Sequence, residues 1–340
     1  MQEATPRQTS FLIELNLFLN RFIPVTTPLA VALGLIFPGV FINLRPFVIF
    51  LFAVMTFSGA LKFTAAELVT AVKNPIPILL FFITSHAVMP SAALLLSSVV
   101  FSSSDIISGF VLLFAGPTAV SGFFWVAIFK GDKALGLALI LLDTFLAPLI
   151  VPATLSIFVG QTVSIDMSGI AVSLLFMVVA PTIIAVALNE TSKGKIPKIV
   201  CPPLDPAAKI CLILVIAANS SAVAPDIKFN DPQIWIICLL CVTLTTAGFL
   251  LAKLNGIAAR CGSQKSASLI IAGGLRNNSV VMTIAVTFFP ETAVFPAIMS
   301  IIVQQTLTAV MGRVLTRKKD EQAEATPDIK NCNEEQTHPE

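Results

Sequence analysis

The chain carries a succession of apolar runs, each about as long as a helix that crosses a lipid bilayer, and this feature constrains the fold most. Such a helix needs about 20 residues, mostly apolar, to cross ~30 Å of hydrocarbon. The runs predict about ten spans, at 24–40, 44–62, 75–100, 105–129, 134–158, 168–188, 207–225, 232–252, 266–289 and 292–313. Backbone polar groups in lipid must be paired within the segment, so runs of this kind fold as helices. The sequence therefore predicts an all-α polytopic membrane protein.

Composition agrees with this fold class. Hydrophobic residues make up 56% of the 340 residues and charged residues 12%, about half the roughly 25% charged fraction of soluble domains. A net charge of +2 gives no indication of nucleic acid as a partner. No signal peptide is expected, because residues 1–10 are polar and no small-residue cleavage site follows a short apolar core. Residues 1–22 are predicted to form a tail and an interfacial helix, and residues 316–340 a disordered cytoplasmic tail.

Basic residues predict the orientation of the spans. The outer loops hold only Arg45 and Lys228, and Arg276 falls within a span. Cytoplasmic loops carry an excess of Lys and Arg, so this division predicts a multi-pass protein of the cell membrane with both termini in the cytoplasm. With that orientation, inner segments hold eighteen of the 21 basic residues, namely Arg7, Arg21, Lys62, Lys73, Lys130, Lys133, Lys193, Lys195, Lys198, Lys209, Lys253, Arg260, Lys265, Arg313, Arg317, Lys318, Lys319 and Lys330.

Two spans are interrupted at matching places. The ten spans divide into two sets of five, 23–158 and 159–315, and an odd-numbered set inserts in the opposite sense when it is repeated. The fourth span contains FAGPTAVSGFF, which breaks at Gly116–Pro117, and the ninth contains AGGLRNNSVV, which breaks at Gly273–Gly274. Interruptions at corresponding positions of inverted halves indicate the central binding site of a transporter. The alternative is that Gly and Pro merely kink packed helices.

Depth along the spans predicts one polar centre. At 1.5 Å per residue, Asp143, Arg276 and His86 lie roughly 14, 15 and 16 Å from the cytoplasmic ends of their spans. The Pro117 break lies about 18 Å from the outer face, so we expect the fourth and ninth helices to cross at the midplane. Arg276 and Asp143 are predicted to pair directly, in a functional site or as a structural ion pair that pins two helices. His86 is predicted to be a packed, hydrogen-bonded histidine, with a proton relay as the alternative.

Four stretches, in order along the chain, resemble motifs of the bile acid:sodium symporter family. They are SHAVMPSAALLL, FAGPTAVSGFFWVAIFKGD, LLDTFLAPLIVPATL and GGLRNNSVVMTIAVTFF, from the third, fourth, fifth and ninth spans. The resemblance runs from about residue 20 to residue 315. It implies ten helices in two inverted repeats, with spans 1, 2, 6 and 7 as a panel and the others as a core. It also implies transport of an organic anion together with sodium.

The resemblance fails at the sodium ligands. The ninth-span glutamate and glutamine of the family fall on Ala272 and Arg276, and its third-span glutamine falls on Ser85. The fourth-span Ser–Asn pair has only Ser121 and Gly122 as loose counterparts. Sodium, a hard cation, needs oxygen ligands, and a permanently charged guanidinium in the same place repels it. The sequence therefore predicts that Arg276 supplies the positive charge that the family takes from sodium.

In the fifth span, Thr144 matches a family residue and Asp143 is a departure. Asn277 matches the family asparagine, and Asn278 is expected to pair backbone groups freed by the break. Asn219, Ser220 and Ser221 line a cavity or form interhelical bonds. The candidate substrate- or ion-binding residues are Ser85, His86, Thr118, Ser121, Asp143, Thr144, Gly273, Gly274, Arg276, Asn277 and Asn278, with no catalytic residue and no metal ligand.

The sequence predicts a secondary transporter that moves a small organic anion by alternating access. No cofactor is expected beyond a coupling ion, sodium or a proton, and a proton-coupled or uncoupled exporter or facilitator is the alternative. A membrane-embedded enzyme is a remote alternative, because H-E-x-x-H and G-x-S-x-G motifs are absent and the chain has no tyrosine. A channel is disfavoured by the inverted halves. The expected partners are the anion and the bilayer, and a monomer is compatible with the sequence.

Overall fold

A computed structural model describes residues 6–64, 75–160 and 165–316, and within these ranges the chain is helical and forms no extended strand. Seven of its helices are long and apolar enough to cross a membrane. In chain order, the helices are α1 (Pro6–Ile36), α2 (Pro38–Ala60), α3 (Pro75–Val100), α4 (Ser104–Ala115), α5 (Gly122–Ile128), α6 (Lys133–Phe158), α7 (Met167–Thr191), α8 (Lys195–Ala222), α9 (Pro232–Ala258), α10 (Ser263–Gly274), α11 (Asn278–Phe288) and α12 (Glu291–Thr316). The predicted all-α polytopic membrane fold is confirmed.

The fourth and ninth spans are each divided into two helices, as predicted. Helix α4 ends at Ala115 and α5 begins at Gly122, so the intervening residues, which include Gly116 and Pro117, are not helical. Helix α10 ends at Gly274 and α11 begins at Asn278. The spans predicted at 105–129 and 266–289, each with an interruption, are therefore pairs of half-helices. The relation of the two halves by inversion stays a prediction.

Several predicted boundaries differ from the observed ones. Helix α1 joins the predicted interfacial segment to the first span without a break in the backbone. Helix α8 begins at Lys195 rather than at residue 207, although Pro202, Pro203 and Pro206 lie inside it. Proline is tolerated in membrane helices because neighbouring groups satisfy the freed carbonyls, so these prolines do not mark the helix start. The predicted disordered tail at 316–340 lies almost wholly outside the described residues.

Contacts between helices divide them into two groups. Helices α1, α2, α7 and α8 pack on one another, and the remaining helices pack around α9, α10 and α12. We call these groups the panel and the core. Asn219 of α8 donates to Thr283 Oγ1 of α11 at 2.8 Å, which links panel to core. Arg45 Nη2, near the start of α2, donates to the Val286 carbonyl at 3.3 Å and adds a second link.

Glycine at the helix breaks permits close approach of neighbouring elements. A Cβ atom on Gly116 would overlap the side chain of Val281 on α11, and one on Gly274 would overlap the ring of Phe249 on α9. Gly116 has a φ of −59°, which any residue adopts. Glycine is therefore required at this break for packing rather than for its backbone freedom.

Candidate functional site

The two interrupted helices meet at their breaks. Thr118 and Arg276 form an isolated antiparallel β-bridge. The Asn277 N–H donates to the Pro117 carbonyl at 2.7 Å, and Thr118 Oγ1 donates to the Ala272 carbonyl at 3.2 Å. The predicted crossing of the fourth and ninth spans is therefore confirmed. Backbone groups freed from one helix are paired by the other, which is how an irregular segment is stabilised inside a membrane protein.

Arg276 is buried in this crossing, with 2% of its surface exposed. Its Nη1 donates to the Gly116 carbonyl and its Nη2 to the Ser85 carbonyl, each at 3.3 Å. The guanidinium therefore joins three segments, the two breaks and α3. Gln304 of α12 holds the Arg276 backbone from the other side: its Nε2 donates to the carbonyl at 2.8 Å, and its Oε1 accepts from the N–H at 3.2 Å.

Asp143 of α6 is fully buried beside the crossing. Its Oδ1 lies 2.7 Å from His86 Nε2, and its Oδ2 accepts the Thr118 N–H at 2.7 Å. The prediction of a direct Asp143–Arg276 pair is wrong. Among the described residues, Asp143 lies within 4.0 Å of His86 and not of Arg276, and Lys62 pairs with Asp205. The carboxylate is already bonded by His86 and Thr118. The guanidinium donates to one carbonyl at a break, that of Gly116, and to the Ser85 carbonyl of α3, so the two charges act on each other at longer range.

His86 is packed and hydrogen-bonded, as predicted. It lies in a five-residue π-helical turn of α3, Thr84–Val88, and turns of this kind occur often at functional sites. Its ring stacks on Phe82 with the centroids 5.6 Å apart, and 7% of the side chain is exposed. Among the described residues, its Nδ1 has no hydrogen-bond partner, and neither does the Oγ of Ser85 beside it.

A cavity of about 150 Å³ lies between panel and core, against both breaks. Ser121, Asn277 and Asn278 belong to its wall, together with Thr27, Phe52, Met55, Thr56, Ala119, Val120, Leu212, Ile216, Arg276, Ser279, Ile301, Gln304 and Gln305. Helix α11 begins at this wall, where Asn277 Oδ1 caps it by accepting the Val280 N–H at 3.3 Å. The N-terminus of a helix carries a partial positive charge, so the cavity has such a charge at its wall.

The predicted residues therefore fall into two sets. Ser85, Thr118, Asp143 and Arg276 form a buried polar cluster, which the half-buried His86 joins through Asp143. Ser121, Asn277 and Asn278 face the cavity. The remaining candidates lie at the edge of the cluster, with Gly273 and Gly274 packed on α9 and Thr144 buried next to Asp143. Asn278 Nδ2 donates to Ser300 Oγ at 2.9 Å.

Sequence reasoning missed Gln304 and Gln305. Gln304 braces the Arg276 backbone, and Gln305 Oε1 accepts from Trp125 Nε1 at 3.3 Å. Two adjacent amides inside the apolar tenth span were the available signal. Asn219 forms an interhelical bond, one of the two roles considered for it. Among the described residues, no group of three or more His, Cys, Asp or Glu side chains could hold a metal ion.

Bilayer-length apolar helices and two interrupted helices that cross at a buried polar cluster define a membrane transport protein. The family model described as Sodium Bile acid symporter family matches residues 48–228, and the chain belongs to this family. Members of the family are transporters, so the chain is a membrane transporter and not an enzyme.

Three relatives illustrate the family. The chain is 34% identical over 295 residues to the uncharacterized protein YbaS of Bacillus subtilis (strain 168). The aligned region is 86% of this chain and 96% of the relative. It is 25% identical over 295 residues to the probable chloroplastic sodium/metabolite cotransporter BASS1 of Oryza sativa subsp. japonica, covering 85% of this chain and 71% of the relative. It is 24% identical over 275 residues to the uncharacterized sodium-dependent transporter YocS of Bacillus subtilis (strain 168), covering 79% and 83%.

Proposed function

We propose that the protein is a secondary transporter of a small organic anion, which works by alternating access in the cell membrane with both termini in the cytoplasm. We also propose that Arg276 takes the place of a sodium ion. One observation carries the second proposal: a buried guanidinium donates to the carbonyls of Gly116 and Ser85, from two different spans, at the crossing of the interrupted helices.

The donor set argues against sodium at this place. Sodium, like other hard cations, is held by oxygen ligands, and the positions where the family has its glutamate and two glutamines carry Ala272, Arg276 and Ser85. Two carbonyl oxygens that could serve a cation already accept N–H groups from Arg276. The rice and YocS relatives are named for sodium, and for this chain we propose transport that is sodium-independent or needs fewer sodium ions.

The cavity supports a small substrate. Pockets that enclose drug-sized ligands measure about 300–1,000 Å³, whereas this cavity measures about 150 Å³. A small carboxylate or sulfonate fits such a volume, and a steroid does not. The start of α11 at the cavity wall provides a partial positive charge for the acidic group.

Flux measurements test both parts. The full chain is reconstituted in liposomes, and uptake of radiolabelled pyruvate, pantothenate and taurocholate is measured with sodium or with choline at constant ionic strength. We expect saturable uptake of the smaller acids that is the same in both salts. A strict and saturable sodium requirement would contradict the role of Arg276, and uptake of taurocholate alone would contradict the size argument.

A substitution sharpens the test. Arg276→Gln returns the residue that the family has at this position, so it should lower uptake in choline and make the remaining uptake respond to sodium. Arg313→Gln changes an exposed arginine in the last turn of α12 and is the matched control, with uptake unchanged in both salts. Loss of uptake by Arg276→Gln with no gain from sodium would indicate a purely structural arginine.

A further inference from the structure

The buried cluster holds three ionisable side chains whose charges do not balance in every state. Asp143 and Arg276 carry opposite charges and are 0% and 2% exposed. His86 is the third member, and the charge of a histidine side chain changes near neutral pH. With a neutral imidazole the three side chains sum to zero, and with an imidazolium they sum to one positive charge. One proton therefore decides the net charge of the crossing.

We propose that His86, paired with Asp143, is the proton-binding site of the transporter, and that one proton moves together with each substrate anion. The inference rests on the proposed function and names its coupling ion. The geometry points to this site because His86 Nε2 is bonded to Asp143 Oδ1 at 2.7 Å while Nδ1 is buried and has no partner among the described residues. When Nε2–H donates to the carboxylate, Nδ1 of the neutral ring is the lone pair that accepts a proton.

The elements packed around His86 bring Asp143 to within hydrogen-bond distance of its ring. The turn that carries it packs on α4, α6 and α9. Helix α6 presents Asp143 to it, and α9 presents the uncharged Asn255, which donates to Thr84 Oγ1 and to the Leu80 carbonyl. Arg276 is the other charged side chain of the cluster. Asp143 also accepts the Thr118 N–H at 2.7 Å, so each of its two carboxylate oxygens already has a hydrogen-bond partner.

Arg276 couples binding of the proton to binding of the anion through its charge. It belongs both to the cavity wall and to the buried cluster. When His86 is neutral, the charge of Asp143 compensates that of Arg276. When His86 takes a proton from water, the imidazolium compensates Asp143 at hydrogen-bond distance, and the charge of Arg276 is left to attract an anion in the cavity. Binding of each ligand then favours binding of the other, as reciprocal linkage requires. On the opposite side of the membrane, the anion leaves and the proton returns to water.

Uptake driven by an imposed pH gradient tests the coupling of anion transport to protons. Sodium-free liposomes containing the full chain are clamped at zero potential with potassium and valinomycin, and uptake of pyruvate and pantothenate is followed with the outside one pH unit more acidic. One proton per anion predicts about tenfold accumulation. His86→Gln, which can still donate to Asp143 but cannot be protonated, should equilibrate the anion without concentrating it. His338→Gln removes the second of the two histidines in the chain and is the matched control.

A ligand-independent readout covers the case in which His86→Gln does not fold. In the His338→Gln protein, labelled with ¹⁵N-histidine and purified through a tag without histidine, the single ring signal reports on His86. We expect this signal to change from the neutral to the doubly protonated form as the pH of the sample is lowered. A ring that keeps one form throughout, or sodium-independent uptake that a pH gradient does not drive, would overturn the proton site. Absence of uptake for every acid would instead contradict the proposed function, while the ring signal still decides the proton site.

Discussion

Replacing Gln304 by Met tests whether α12 braces the unwound part of the ninth span. The side chain is 4% exposed and makes two hydrogen bonds to the backbone of a single residue, Arg276. Met has a similar volume and no amide, so the substitution leaves a buried N–H and a buried carbonyl without their partner. Each such group costs about 1–3 kcal/mol, which together gives about 2–6 kcal/mol.

The melting temperature of the detergent-solubilised chain measures this loss. A few kcal/mol corresponds to a decrease on the order of 5–10 °C for a chain of this size. A thiol-reactive dye reports unfolding, because Cys241 is buried and reacts once the helices separate. Uptake should fall as well, since the guanidinium is positioned by the same backbone that Gln304 holds.

Gln305→Met is the matched control. It makes the same substitution one residue later, at a half-buried side chain that accepts one hydrogen bond from Trp125. Its melting temperature should decrease much less. If the two variants melt together, or if Gln304→Met melts like the unmodified protein, the bonds to Arg276 contribute little and the reasoning about the brace fails.

Two further predictions concern packing and movement. Gly274→Ala should lower the melting temperature, because overpacking costs about 1–3 kcal/mol and the added Cβ would overlap Phe249. Gly39→Ala, inside the first turn of α2 where a Cβ meets nothing within 4 Å, should not lower it. In a background without native cysteines, a disulfide between Asn219→Cys and Thr283→Cys should stop uptake until a reductant is added, since their parent side chains lie 2.8 Å apart across panel and core. Continued uptake by the oxidised protein would show that this contact does not open during transport.

The sequence was sufficient for the fold class and for the crossing. The length of each apolar run and the Gly and Pro interruptions are local properties of the chain. Because unpaired backbone groups are costly in lipid, the runs must form helices and the interrupted segments must pair with each other. Polarity within apolar runs likewise identified Arg276, Asp143 and His86 as members of one buried region. These features depend on what each span contains and hardly on how side chains are oriented.

The hydrogen-bond partners of the side chains in the cluster could not be predicted from the sequence. The position of a residue along a helix gives its depth in the membrane. Its hydrogen-bond partners also depend on the face of the helix that carries the side chain and on the other groups that can bond to that side chain. Asp143 is bonded by the Thr118 N–H, a backbone donor that exists only because α4 is interrupted. Gln304 contacts Arg276 from another span, a relation that no local pattern encodes.

The guanidinium at the crossing is attached to the protein by covalent bonds. A bound sodium ion enters from one compartment and leaves to the other, so the salt gradient performs work in every cycle. Under the proposed function, Arg276 moves with its helix and is never released. In the sodium-independent case, external salinity therefore contributes nothing to the direction of transport. Net flux then follows the anion and proton concentrations on the two sides, and the carrier reverses whenever those concentrations reverse. A cell that holds an excess of the anion would use the same molecule to discharge it.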